Sequence, residues 1–94
     1  MREIRSTEVN KLKNPSIIDV RETDEVLTGK IPGSINIPLS ILEYNMQDLD
    51  KSIEYIIVCH SGARSSLATR FLSSHGYNVI NMAGGMLDWK GKVV

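Results

Sequence analysis

Cysteine is nearly absent: Cys59 is the single one in the sequence. That excludes an intramolecular disulfide and any metal cluster built on repeated Cys-x-x-Cys pairs. Chemistry at this thiol needs a second molecule to complete it. An excess of charge of one sign is also missing, since 11 Lys and Arg balance 11 Asp and Glu. The sequence therefore makes no electrostatic case for nucleic acid or an anionic membrane as partner. No stretch approaches the ~18 consecutive apolar residues that a membrane span requires. The opening Met1-Arg2-Glu3-Ile4-Arg5-Ser6 holds no apolar run of signal-peptide length. As it stands, the chain is expected in the cytoplasm. Aromatics are few (Phe71, Trp89, Tyr44, Tyr55 and Tyr77), so Ile, Leu, Val and Met must supply most of the core.

With 94 residues the chain is expected to form one small domain over residues 1–94. Short β-rich runs alternate with helical patterns, which predicts an α/β domain with a mostly parallel sheet. Ser6 is a candidate cap for a helix over residues 7–13, ended by Asn14-Pro15. Residues 16–20 read as a strand, 22–28 as a helical turn stopped by Gly29, and 34–37 as a short strand closed by Pro38. Residues 39–49 read as a broken helical region. Residues 52–59 form the clearest strand, continuously apolar from Tyr55 to Cys59, as a strand buried on both faces should be. The best helix covers residues 65–75. Leu67, Ala68, Phe71 and Leu72 are expected on its buried face, with Gly76 as its left-handed cap. A strand over 77–81, a loop at Ala83-Gly84-Gly85 and a helical turn over 86–90 complete the chain. Trp89 and Met82 are expected in the core.

The informative stretch is Cys59-His60-Ser61-Gly62-Ala63-Arg64-Ser65. A buried strand delivers a cysteine to its carboxyl end, and a helix begins about six residues later. Ligands of open α/β sheets bind at that end, beside helix N-termini. The helix N-terminus carries roughly half a positive charge. Arg64 adds a full one, so the Cys59 thiol should titrate below ~8.5. Gly62 lets the loop curl so that successive N–H groups form an anion-binding nest, and Arg64 offers a planar fork for an oxyanion. On composition alone, a lone cysteine ending an apolar strand is most often an inert core residue. The Gly and Arg at these spacings, followed by a helix start, turn the reading towards function.

Three blocks carry a resemblance to the rhodanese family along nearly the whole chain. They are Ile17-Ile18-Asp19-Val20-Arg21-Glu22, then Gly29 to Pro38, and then Ile56 to Ser66 followed by Gly76-Tyr77 and Ala83 to Trp89. The resemblance implies a central, mainly parallel five-stranded sheet flanked by helices. It implies Cys59 as the sulfur-accepting nucleophile, and His60, Ser61, Gly62, Ala63, Arg64 and Ser65 as the loop that cradles a persulfide. Lys30 stands where the family commonly has His, and Val26-Leu27 where an aromatic is common.

The function this implies is sulfur transfer without metal or organic cofactor. A small-molecule donor such as thiosulfate would supply the sulfur; cyanide, a small thiol or a protein cysteine would accept it. Two alternatives stay open. One is a non-catalytic rhodanese-like binding or regulatory module; such domains often lack the cysteine. The other is a phosphatase or arsenate reductase, whose related Cys–Arg loops carry five intervening residues where this chain has four. Asp19 and Arg21 read as a scaffold ion pair, with a second anion-binding role for Arg21 as the alternative. His60 is expected to matter through its backbone, and His75 through a contact with the end of its helix.

Overall fold

The computed structural model describes residues 1–94. Five parallel strands form one sheet in the order β1-β5-β4-β2-β3: β1 (Glu3–Arg5), β2 (Ser16–Asp19), β3 (Ile35–Asn36), β4 (Glu54–Val58) and β5 (Asn78–Ala83). The helices are α1 (Ser6–Val9), α2 (Thr23–Val26), α3 (Leu42–Asn45) and α4 (Ala63–Ser74). Three 3₁₀ turns, Leu39–Ile41, Met46–Asp48 and Gly85–Asp88, complete the fold.

The sheet is covered on both faces, and strand alternation explains how. Tyr55, Ile57 and Cys59 point into one apolar cluster with Ile18, Val20, Leu42, Ala68 and Leu72. Ile56 and Val58, between them, point into the other with Val9, Ile17, Ile31, Ile80 and Met82. Tyr55 to Cys59 is thus buried throughout, as its apolar run predicts. Cys59 lies one residue past the end of β4, on the face covered by α4.

Local chemistry moves several boundaries. The edge strand β1 has no sequence signal: only Ile4 among its three residues is even half-buried. α1 is shorter than the helix expected over residues 7–13. Only Ser6 and Val9 of it are buried. Residues 11–14 are exposed, so a longer helix would have no apolar face to pack there. Asn14 turns the chain at φ 53°. Ser6 is no cap, since Arg5 holds that position; its hydroxyl donates to the Asp88 carbonyl at 2.9 Å and ties α1 to the last turn.

α4 starts two residues earlier than expected, and its buried face is Ser65, Ala68, Thr69 and Leu72. Phe71 is half-buried and Leu67 is 62% exposed. The face is rotated because the helix turns Ser65 towards Cys59. Gly76, at φ 88°, terminates α4 as expected, with its N–H on the Ser73 carbonyl at 3.0 Å. His75 contacts the Phe71 carbonyl at 2.9 Å through Nδ1. Met82 is fully buried, whereas Trp89 is only half-buried at the margin of its cluster.

Candidate active site

The path from β4 to α4 fixes the thiol. Val20 N–H donates to the Val58 carbonyl at 2.8 Å, and the turn after β5 then takes over: Met86 N–H donates to the Cys59 carbonyl at 2.9 Å and Leu87 N–H to that of His60 at 3.0 Å. This close backbone approach is what Gly85 permits. A Cβ there, at φ 58°, would lie 2.6 Å from the Cys59 carbonyl oxygen. Gly85 is therefore a buttress of the thiol loop. Gly62, at φ 103°, is the residue before α4 and reverses the chain so that its own N–H faces back to the sulfur.

Cys59 Sγ accepts the Gly62 N–H at 3.0 Å and lies 3.3 Å from the Ser65 hydroxyl oxygen. In the thiol form the S–H donates to Ser65 Oγ. In the thiolate form the hydroxyl turns to donate to sulfur. Burial pushes the Cys59 thiol up. The Ser65 hydroxyl and the N–H groups of Ser65, Gly62 and Ser61 together outweigh it and hold the thiol below its ordinary value. Ser66 is the first residue of α4 whose N–H reaches a backbone carbonyl, that of Gly62 at 3.1 Å. The N–H groups of Ala63, Arg64 and Ser65 find none, as expected of a helix start. Cys59 itself has no exposed surface, while His60, Ser61 and Ala63 above it are exposed.

Arg64 lies in the first turn of α4 but its guanidinium is engaged elsewhere. It forms a bidentate pair with Glu25 of α2, at 2.6 Å to Oε1 and 2.8 Å to Oε2. The contacts that lower the thiol are thus mainly hydroxyl and amide donors, where the sequence reading gave Arg64 a leading share. Glu25 was missed; its partner is 39 residues away, so no local spacing connects them. Its Oε1 also accepts the Glu22 N–H at 3.0 Å. The Arg64 hydrogen bonds first, and then the Glu22 N–H, bring its carboxyl down to about 2.

Arg21 and Asp19 are both buried and pair at 2.8 Å; Arg21 also donates to the Gly29 carbonyl at 2.8 Å. That guanidinium holds the end of β2 to the loop after α2. The structure holds no group of three or more His, Cys, Asp or Glu side chains arranged to ligate a metal. No helix is long and apolar enough to cross a membrane.

The rhodanese-like domain pattern matches residues 6–92. The chain is 40% identical over 76 residues to "Putative sulfurtransferase YtwF" of Bacillus subtilis, covering 81% of this chain and 74% of that protein. It is 34% identical over 74 residues to a sulfurtransferase of Allochromatium vinosum, covering 78% of this chain and 69% of that one. Among solved structures, a rhodanese-related protein from Thermoplasma volcanium superposes with a TM-score of 0.94 at 35% identity, covering 100% of this chain and 98% of that one.

Proposed function

We propose that this chain, which belongs to the rhodanese-like domain family, is a sulfurtransferase that carries sulfane sulfur as a persulfide on Cys59. The observation that carries this reading is the surroundings of the thiol: a sulfur at the carboxyl end of a central strand, bonded by the Gly62 N–H at 3.0 Å and by the Ser65 hydroxyl at 3.3 Å. Hydrogen-bond donors converging on sulfur favour thiolate, and would favour the terminal sulfur of a persulfide equally.

In the first half-reaction the Cys59 thiolate attacks the outer sulfur of a donor. With thiosulfate, a new S–S bond forms at Cys59 while the bond to the sulfonate sulfur breaks, and sulfite leaves with the bonding pair. In the second, a nucleophilic acceptor attacks the terminal sulfur and Cys59 leaves as thiolate. Cyanide would leave as thiocyanate, and a thiol as a persulfide. Because Cys59 is the sequence's only cysteine, the acceptor comes from another molecule. Cys59 is buried beneath the exposed His60, Ser61 and Ala63, so a donor approaches the sulfur from that side. Neither half-reaction calls for a metal or organic cofactor.

The loop's size supports sulfur over phosphorus. Four residues separate Cys59 from Arg64. A transferring phosphoryl group wants a donor at ~2.7–3.1 Å from each equatorial oxygen, which needs a wider bowl. The test is parallel kinetics on thiosulfate and an aryl phosphate, with Cys59→Ser as the blank. Sulfur transfer that vanishes in Cys59→Ser, with no phosphate hydrolysis, is expected. Hydrolysis exceeding sulfur transfer and lost in Cys59→Ser would assign the phosphatase chemistry instead; neither activity, with no sulfur taken from a persulfide donor either, would leave a binding module.

A further inference from the structure

Arg64 carries the one full positive charge in the first turn of α4, and a dianionic donor bound at the loop would meet it first. Its guanidinium is already bidentate to Glu25, and it also feels the charges of Cys59 and Glu22. The remaining nearby cation, Arg21, is buried against Asp19. The charge of Arg64 is therefore offset by Glu25.

We propose that Glu25 is a specificity-determining residue: by holding Arg64 in a bidentate pair, it selects against small dianionic donors such as thiosulfate and favours donors that offer sulfur as a thiol-bound persulfide. This rests on the sulfur-transfer reading above. The two donor classes differ in what they ask of Arg64. When thiosulfate gives up its outer sulfur, the departing sulfite holds two negative charges, and stabilising them calls for a free guanidinium. When a persulfide gives up its terminal sulfur to the Cys59 thiolate, the S–S bond of the donor breaks and a single thiolate leaves with the electron pair. The backbone N–H groups of the loop can serve that smaller charge. Glu25 does not step aside easily: its Oε1 is also tied to the Glu22 N–H, so its carboxylate is held from both sides. With its carboxyl down at about 2, it stays charged wherever a thiolate exists.

The test is kcat/KM for thiosulfate and for glutathione persulfide in the wild type, Glu25→Gln, Arg64→Ala and the double variant. Glu25→Gln should raise the thiosulfate-to-persulfide ratio about ten-fold or more, the scale of one charge-assisted contact. Arg64→Ala leaves the Glu25 carboxylate unopposed, so it should lower thiosulfate use on its own and abolish the gain in the Glu25→Gln background. A purely structural pair would instead lower both donors together and leave the ratio within about two-fold of wild type, which overturns the proposal. Should Glu25→Gln fail to fold by its circular dichroism melt, Glu25→Asp takes its place. The shorter carboxylate breaks the bidentate geometry while keeping the charge, and a smaller rise in the ratio is expected; the same two-fold criterion decides against it. Absence of sulfur transfer from either donor in the wild type would refute the sulfur-transfer reading itself, and this one with it.

Discussion

Removing the Ser65 hydroxyl isolates the contact that does most to keep Cys59 ionisable. The substitution Ser65→Ala is nearly isosteric, and the Thr69 hydroxyl bonds only the Ser65 carbonyl, at 2.7 Å, so α4 is left intact. The hydroxyl lies 3.3 Å from Sγ and donates to it only in the thiolate form. A hydrogen bond to a charged group contributes about 1.5–3 kcal/mol. Part of that is matched by the S–H bond to Ser65 Oγ in the thiol form, so its loss should raise the Cys59 pKa by the difference between the two states. Below the pKa, each unit lowers the thiolate fraction ten-fold but raises the intrinsic nucleophilicity of the remaining thiolate about three-fold. Alkylation at low pH should therefore slow, by about three-fold for each unit the pKa rises, while the plateau at high pH rises. Thiolate absorbance against pH gives the pKa, and iodoacetamide kinetics give the rate. An unchanged midpoint in Ser65→Ala, with the fold retained, would refute the assignment of the hydroxyl as a thiolate donor.

Other consequences can be measured independently. Gly85→Ala should destabilise the protein by about 2–5 kcal/mol in denaturant titrations, combining a left-handed φ with overpacking against the Cys59 carbonyl, and a loss under 1 kcal/mol would contradict that close approach. Leu72→Ala should cost about 2–5 kcal/mol because the side chain is fully buried, whereas Leu67→Ala should stay within about 0.5 kcal/mol. The carboxyl of Glu25 is lower when folded, at about 2, than its ordinary 4.5, so between those values the unfolded chain binds more protons. Stability from the pair is thus full above pH 4.5 and lost as pH falls towards 2. Thermal melts of wild type and Glu25→Gln should differ at pH 6 and converge near pH 2. Inserting one residue between Gly62 and Ala63 should lower sulfur transfer by widening the bowl, and unchanged kinetics would show that loop size does not govern the chemistry.

The parts of the fold legible in the sequence are those where burial sets a local period. Tyr55 to Cys59 announces a central strand because both of its faces are covered. Gly76 announces the end of α4 because the helix needs a left-handed residue there. Arg21 and Asp19, two residues apart, are readable as a pair because a charge buried at a strand end needs a near partner. The thiol loop was legible through Gly62 and the helix start after it. What escaped lies at long range or in very short elements. β1 is a three-residue edge whose pairing with β5 is decided by register rather than pattern. On α4, Ala68 and Leu72 are buried and Phe71 packs partly against the core as expected, but Leu67 is exposed and Ser65 and Thr69 were missed, because an apolar residue outranks them on any hydropathy count although the helix turns Ser65 inward to meet Cys59. Glu25 carries no local signal for its bond to Arg64, since a salt bridge between two elements leaves no periodicity behind.

Sulfur transfer through Cys59 is tested most directly by intact mass. Protein incubated with glutathione persulfide or thiosulfate and freed of donor should gain the mass of one sulfur atom. Peptide mapping should place that sulfur on Cys59, and cyanide should remove it with stoichiometric release of thiocyanate. Cys59→Ser should gain nothing. Wild-type protein that remains unmodified by both donors, while its thiol still reacts with iodoacetamide, would contradict the account.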